Sequence, residues 1–413
     1  MAAELFKVKQ KFNVPELKDI EEEVFKQLAS INIAPDSRIA IGVGSRGIAN
    51  LSDVVRATVK MVKKLGGNPF IVPAMGSHGG ATAEGQQEVL AGYGVTEETM
   101  GAPVISSMAT NMIGKTKDGI PVYFDRNAAG ADGIIVINRV KPHTDFHSAL
   151  ESGLVKMLVI GFGKQAGAKT VHISGVDGLK NVIPQTGEVI LEKLPIIGGV
   201  GILENAYDKV AKIEFIPADK LYSREPELVL EAKSLMASLP VTGRIDVLVV
   251  QETGKNVSGV GLDPNITGRR MIRGQEEPNS PEVQNIVVLD LTEESHGNAL
   301  GVGLADVITK RLFNKINLDI TYANVITSGF LQRGFIPIIA ETDEKAINIG
   351  ISTINRRIQS SEIRLMVIKN TLEIEELYLS PALFEEVKDK ENIEVLAGPY
   401  PLSFTENGEL KLF

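Results

Sequence analysis

Side chains that could transfer protons or bind a metal are concentrated in one stretch, residues 141–172. The chain has five histidines, and His143, His147 and His172 lie in this stretch. Imidazole exchanges protons near neutral pH and is the commonest metal ligand. Lys156 lies between them in an otherwise apolar run, where a lysine must extend to water, lose its charge or react. The stretch therefore predicts either an acid–base or metal site, or solvent-facing histidines beside an extended lysine.

A glycine-rich segment near the N-terminus, residues 42–47 (GVGSRG), has the G-x-G-x-x-G spacing of a dinucleotide-binding turn. That pattern also expects a carboxylate at the end of the next strand, and residues 71–74 (IVPA) contain none. The segment is therefore interpreted in two ways. It is a glycine turn that lets the backbone approach a ligand, or it places Arg46 to clamp a carboxylate with two hydrogen bonds.

A second glycine-rich segment, residues 75–80, places His78 after the next predicted strand. Loops at the carboxyl ends of parallel strands line the ligand crevice of an open sheet. His143 also follows a predicted strand, so two histidines could flank a substrate at this rim. His147 is either a rival for the second position or a cap for the helix that holds Lys156. A loop histidine without a role is the alternative for His78.

Hydrophobic periodicity predicts alternating strands and helices through the chain. The predicted strands are 38–43, 68–73, 102–106, 133–138, 199–204, 244–250, 286–291 and 335–339, and the predicted helices are 15–30, 51–65, 82–90, 225–239 and 299–312. Asp118-Gly119 predicts a hairpin turn. The alternation predicts an α/β fold of two domains, each with a mainly parallel, Rossmann-like sheet flanked by helices, and an active-site cleft between them. The N-terminal domain is predicted at 1–225, a linker helix at 226–243 and the C-terminal domain at 244–413.

Composition excludes several classes of protein. The chain has 413 residues, a formal net charge of −9 and no cysteine. The charge disfavours a nucleic-acid surface, and the lack of cysteine excludes disulfides and thiolate metal sites. No apolar run has the length of a membrane span and the N-terminus does not resemble a signal peptide, so we expect a cytoplasmic protein without nucleic-acid or membrane partners.

The motifs Gly-Ser-His78, Pro-His143 and Glu-Ser-Gly-Leu-Val-Lys156, followed by His172, resemble those of the nickel-pincer lactate racemase family of 2-hydroxyacid racemases and epimerases. The resemblance extends over most of the N-terminal half. It implies that Lys156 is joined through a thioamide to a pyridinium dithiocarboxylate-derived mononucleotide, whose pincer sulfurs hold nickel together with His172. The cofactor contacts are expected at Gly44, Ser45, Gly76 and Ser77.

The resemblance also implies the roles of the other site residues. His78 and His143, with His147 as the rival, would be paired acid–base groups, and Arg46 and Lys255 would bind the substrate carboxylate. A 2-hydroxy acid would lose its hydroxyl proton while hydride leaves C2 and returns to the opposite face. Enzymes that build the cofactor would be transient partners, and a host without them would yield protein without the cofactor.

The sequence departs from the family at two places. Val43 occupies a position where the racemases have aspartate, and the interval from Pro-His143 to Lys156 is a few residues longer. Both differences indicate a branch with another substrate. An NAD-dependent 2-hydroxyacid dehydrogenase and a non-catalytic carboxylate-binding protein are the alternative functions.

Overall fold

The computed structural model of the chain describes residues 4–44, 47–173, 175–278, 280–355 and 359–412. Its strands in chain order are β1 Glu4–Gln10, β2 Arg38–Val43, β3 Asn68–Pro73, β4 Thr110–Lys115, β5 Pro121–Asp125, β6 Gly133–Arg139, β7 Ile196–Glu204, β8 Val210–Pro217, β9 Arg244–Thr253, β10 Glu282–Leu291, β11 Val307–Thr309, β12 Ile338–Ala340, β13 Leu365–Ile368, β14 Glu376–Leu379, β15 Ile393–Pro401, β16 Ser403–Phe404 and β17 Leu410–Lys411.

The α-helices are α1 Ile20–Leu28, α2 Leu51–Lys64, α3 Ala83–Gly92, α4 Glu97–Met100, α5 Arg126–Ala129, α6 Leu154–Lys156, α7 Lys164–His172, α8 Gly175–Asp177, α9 Ile183–Lys193, α10 Leu221–Leu235, α11 Pro264–Thr267, α12 Lys310–Lys315, α13 Leu318–Ser328, α14 Asp343–Ser352 and α15 Pro381–Val387. Two π-helical turns, Met157–Gly161 and Gly178–Val182, continue α6 and α8. Within the described part of the chain, no helix is long and apolar enough to cross a membrane.

The chain forms two compact units: an N-terminal unit of residues 14–236, and a C-terminal unit of residues 1–13 with 237–413. The change of unit falls within the predicted linker, residues 226–243. The first strand does not belong to the N-terminal domain, as was predicted. Instead, β1 pairs antiparallel with β14 and β15 of the C-terminal unit. Leu5 and Val8 of this strand are buried there. This strand lies before the first predicted element, residues 15–30, and its partner depends on tertiary packing.

The sheet of the N-terminal unit has the strand order β3-β2-β6-β7-β8. The first four strands run parallel and β8 is antiparallel to β7. Since parallel strands end at one edge, the segments that follow β2, β3 and β6 leave the sheet on the same side. These segments contain Gly44, His78 and His143. The predicted strand at 102–106 is reduced to a single bridge between Ile71 and Val104.

Helices cover both faces of this sheet. On one face the core contains apolar side chains of α1, α2, β2 and β3. On the other face the ring of Phe162 lies over β2, where a Cβ at Gly42 would be 2.1 Å from its Cζ atom. Phe162 also stacks on Phe124 with ring centroids 4.7 Å apart. The glycine of β2 therefore has a packing reason, and it brings the chain that follows Lys156 against the sheet.

The sheet of the C-terminal unit has the order β12-β11-β10-β9-β13-β14-β1-β15. Its first five strands are parallel, and β14, β1 and β15 continue it antiparallel. Both main sheets are therefore mainly parallel, as predicted. The predicted helix at 299–312 is wrong: the segment contains strand β11, and α12 begins only at Lys310. Gly301 has φ 97° and its Cβ would lie 1.7 Å from the carbonyl oxygen of Val260, so the backbone turns there.

Candidate active site

Lys156 lies at a change of helix type. Helix α6 ends at Lys156 and continues directly as the π-helical turn Met157–Gly161, in which the N–H of Phe162 donates to the carbonyl of Met157 at 3.0 Å. π-helical turns are rare and are frequent at functional sites. Lys156 is half-buried. The predicted apolar run is therefore a short, irregular helix with its lysine at the irregular point.

The carboxylate of Glu225 holds the N-terminus of this helix. It accepts hydrogen bonds from the backbone N–H groups of Leu154 at 3.0 Å and Val155 at 2.9 Å, and it is fully buried. A Cβ at Gly153 would lie 2.3 Å from its Oε1 atom. Burial raises the pKa of Glu225 to about 7, although both hydrogen bonds act in the other direction. The suggestion that His147 caps this helix is wrong, because Glu225 occupies that place.

His172 ends helix α7, sixteen residues after Lys156 in the chain. Burial lowers the pKa of its imidazole, the charge of Lys156 lowers it further, and Asp145 acts in the opposite direction. The residue as a whole is still exposed to solvent. Lys156 and Asp145 therefore both lie within electrostatic range of His172. A lowered pKa favours the neutral imidazole, which is the form that binds metal ions.

His143 belongs to the same group of residues through Asp145. The backbone N–H of Asp145 donates to Nδ1 of His143 at 3.1 Å, so the proton of the neutral ring resides on Nε2. The ring stacks on Phe146, with centroids 4.5 Å apart. Its side chain is 12% exposed. These contacts fix the orientation of His143 beside a carboxylate that also interacts with His172.

Glu151 organises the loop that contains both histidines. Its buried carboxylate accepts from the backbone N–H of His143 at 2.7 Å and from Nζ of Lys233 at 3.0 Å, and it lies 3.2 Å from Nδ1 of His147. Burial alone would raise the pKa of Glu151, but the hydrogen bonds from His147, the His143 backbone and Lys233 outweigh it and lower the pKa. His147 is 40% exposed and bound to this structural carboxylate. His143 is therefore the less exposed of the two histidines and the one whose ring is oriented by Asp145 and Phe146.

The loop with His78 is joined to the chain that follows Lys156. The N–H of Gly76 donates to the carbonyl of Gly161 at 3.1 Å. Gly76 has φ 63°, a conformation that glycine adopts without strain, and its Cβ would meet Ile160 at 3.2 Å. His78 is half-buried and Ser77 is exposed. The loop therefore presents its polar side chains while its backbone is fixed to the π-helical turn.

Gly44, predicted to contact the cofactor, also lies against the segment of Lys156. A Cβ at this position would be 2.5 Å from Oδ1 of Asn138 and 3.1 Å from Cε of Met157. Packing therefore accounts for this glycine without a dinucleotide. Ser45 and Arg46, the predicted cofactor contact and carboxylate clamp, lie outside the described residues.

Lys255 belongs to the C-terminal unit. Its Nζ donates to the carbonyl of Gly259 and, at 3.2 Å, to Oδ1 of Asn324. Its backbone N–H donates to Oγ of Ser295 at 2.9 Å. These contacts hold the loop after β9 in place. A role of Lys255 in carboxylate binding remains a prediction.

Lys156 and His172 are the residues that would hold the cofactor and its metal. Among the described residues, no cluster of three or more His, Asp or Glu side chains is placed to hold a metal ion. A half-buried lysine and an imidazole kept neutral within electrostatic range of it fit a lysine-tethered nickel-pincer nucleotide.

Several supporting residues were not identified from the sequence. These are Glu225, Glu151, Lys164 and Gln86. Only Glu225 could have been found from the sequence. It lies on the buried stripe of α10, with Leu221, Leu228 and Val229. A glutamate on an apolar helical stripe indicates a buried hydrogen-bond acceptor.

The comparisons with known proteins agree with these observations. Residues 33–178 match the model of the lactate racemase N-terminal domain, the family that the motifs predicted. The structure resembles that of the lactate racemase apoprotein from Thermoanaerobacterium thermosaccharolyticum, with a TM-score of 0.54 and 14% identity over 91% of this chain and 99% of that one. At this identity the likeness shows the fold alone.

A second solved structure, a protein from Thermotoga maritima, has a TM-score of 0.47 and 14% identity over 65% of this chain and 69% of that chain. That likeness is too weak to support a structural argument. No curated protein matches the chain.

Proposed function

We propose that this protein is a racemase or epimerase of a 2-hydroxy acid that uses a nickel-pincer nucleotide tethered to Lys156, with His172 as the protein ligand of nickel. The observation that carries the proposal is the electrostatic grouping of Lys156, His172 and Asp145. These residues lie in the part of the chain that matches the lactate racemase domain. The cofactor, when bound, supplies a reversible two-electron acceptor for the substrate carbon.

The side chains of the protein would manage the proton. His78 and His143 are both on segments that leave the same edge of the N-terminal sheet, and each would exchange the substrate hydroxyl proton for one enantiomer. Asp145 holds Nδ1 of His143 through its backbone N–H, which orients the ring. Arg46, and Lys255 of the C-terminal unit, would bind the carboxylate and orient C2.

Attachment of a pincer group as an amide removes the charge of Lys156. This loss is compatible with the half-buried position of the lysine, because an uncharged group has a smaller desolvation penalty than an ammonium group. It also removes one of the causes that lower the pKa of His172. Metal ligation would then hold the imidazole in its neutral form in place of the lysine charge.

The experiment is to produce the protein together with the cofactor-building enzymes and nickel, and to measure intact mass, nickel content and the conversion of enantiopure 2-hydroxy acids. We expect an adduct on the peptide containing Lys156, about one nickel per chain and interconversion of one substrate's isomers. An unmodified mass without nickel, while a known nickel-pincer racemase is loaded in the same host, would contradict the proposal. Binding of a 2-hydroxy acid without conversion would then favour a non-catalytic carboxylate-binding protein.

A further inference from the structure

Lys164 is a buried cation that the proposed chemistry does not use. It is the first residue of α7, three positions after the π-helical turn, and has φ 52°, an uncommon conformation for a residue with a side chain. Its side chain is 0% exposed, and its Nζ lies 3.4 Å from Oδ2 of Asp125, which is equally buried. Lysines are rarely buried unless they are paired, so the burial of Lys164 indicates that its contacts have a specific structural role.

The remaining hydrogen bonds of Lys164 lead to the His78 loop, residues 74–82. Its Nζ donates to the carbonyl of Pro73, the last residue of β3, and to Oε1 of Gln86 at 3.0 Å. Gln86 is itself fully buried on α3. Because an ammonium group can only donate, the contact with Lys164 fixes which end of the Gln86 amide carries the oxygen.

The other end of that amide holds the loop. Nε2 of Gln86 donates to the carbonyl of Gly76 at 2.8 Å and to the carbonyl of His78 at 3.3 Å. The loop needs such support, because Gly76, Gly79, Gly80 and Ala81 all have positive φ. Without outside hydrogen bonds, a backbone of this kind would populate several conformations.

We propose that Lys164 is a positioning residue, which through Gln86 fixes the backbone of His78 relative to the segment that carries Lys156. Two residues separate Lys164 from the π-helical turn, and Gly161 in that turn accepts a hydrogen bond from the same loop. The turn and the loop are thus joined twice, once through Gly161 and once through Lys164. Only the acid–base role of His78 rests on the proposed function; the joining of the two segments does not.

The test uses the full-length protein with [13Cε1]-histidine, whose five histidines give five signals. The His78 signal is assigned by its loss in His78→Gln. Gln86→Met removes the amide, and Gln86→Glu keeps an acceptor for Lys164 but loses both N–H donors. We expect either variant to shift or broaden the His78 signal while the His296 signal stays in place.

In the loaded enzyme, kcat of either Gln86 variant should fall on the order of 10- to 100-fold with KM within about twofold, because displacement of a catalytic group by about 1 Å has an effect of this size.

Gln10→Met is the matched control. Gln10 is also buried, and its Nε2 donates to two backbone carbonyls, those of Ser238 at 3.1 Å and Ile374 at 2.6 Å, within the C-terminal unit. The variant Gln10→Met should lower the melting temperature about as much as Gln86→Met does, and it should leave the His78 signal unchanged. A wild-type His78 signal in both Gln86 variants would overturn the inference and reduce Gln86 to a stabilising residue. A shifted His78 signal in a protein that racemises nothing would support the positioning role and reject the proposed function.

Discussion

Glu225 lies 71 positions after Leu154 in the sequence, yet its buried carboxylate caps the short helix that ends at Lys156. The hydrogen bonds satisfy two of the unpaired N–H groups at the start of this helix. A helix of one turn has little stability by itself, so its position depends on such a contact. The same carboxylate carries a raised pKa, which makes the support of Lys156 sensitive to pH.

The Glu225 carboxyl should give the protein a pH-dependent stability. Its pKa is about 7 in the folded chain against an ordinary value of 4.5, so between these values the unfolded chain binds fewer protons. The stability contributed by this group therefore falls as pH rises from about 4.5 to about 7, by on the order of 3 kcal/mol. Urea unfolding of wild type and Glu225→Gln at several pH values should show this slope in their difference. Glu227→Gln, an exposed change on the same helix, should have the same pH dependence of stability as wild type. A difference between wild type and Glu225→Gln that does not change with pH would contradict the shifted pKa.

Lys156→Ala should abolish cofactor attachment and activity, because no other group can form the thioamide at this place. The measurement is intact mass and turnover after production with the cofactor-building enzymes. Lys169→Ala, an exposed lysine on α7, is the matched control and should be loaded like wild type. Full activity of Lys156→Ala would end the tethered-cofactor hypothesis.

His172→Ala should lose nickel while retaining some covalent adduct, since ligation and attachment use different residues. Metal analysis and intact mass on the same sample separate the two quantities. His296→Ala removes an exposed histidine of the C-terminal unit and should not change nickel content. If His172→Ala keeps its nickel, another residue is the ligand.

His143→Gln and His147→Gln should have unequal effects. His143 is oriented by Asp145 and Phe146, whereas His147 is half-exposed and bound to the structural carboxylate of Glu151. We expect kcat/KM to fall on the order of 10²- to 10⁴-fold for His143→Gln and by less than about tenfold for His147→Gln. The reverse order in steady-state kinetics would identify His147 as the second acid–base group.

Lys164→Met should destabilise the N-terminal unit by about 3–5 kcal/mol, because it leaves the buried carboxylate of Asp125 without its cation. Burial lowers the pKa of Lys164 and raises that of Asp125, while the attraction between the two charges acts in the opposite direction on both. The double variant Lys164→Met/Asp125→Asn should recover part of the loss in urea unfolding, since asparagine can still accept the N–H groups of Asn127 and Ala128. Equal losses in the single and double variants would show that the pair is not coupled.

The sequence alone was sufficient to predict the parallel architecture and to name the residues proposed for the site. Apolar runs of strand length separated by helical periodicity indicate buried parallel strands, and the structure contains them at 38–43, 68–73 and 133–139. The segment 299–312 was incorrectly predicted to be a helix. Hydrophobic periodicity carries no information about the close contact between Gly301 and Val260, where the backbone turns. The pairing partner of β1 could not be predicted from a sequence pattern either, since many strands could pair with it.

The sequence by itself determined the likeness of residues 33–178 to the lactate racemase N-terminal domain and the residue types at positions 78, 143, 156 and 172, because these depend on local motifs and spacing. Only the tertiary structure decided that the ring of His143 is oriented by its neighbours, that Glu225 caps the helix of Lys156 and that Lys164 donates to Gln86. These contacts join residues distant in the chain, and they form only when helices and strands pack. Burial then sets the pKa values of Glu225, Lys164 and His172, and burial is a property of the folded chain rather than of any short segment.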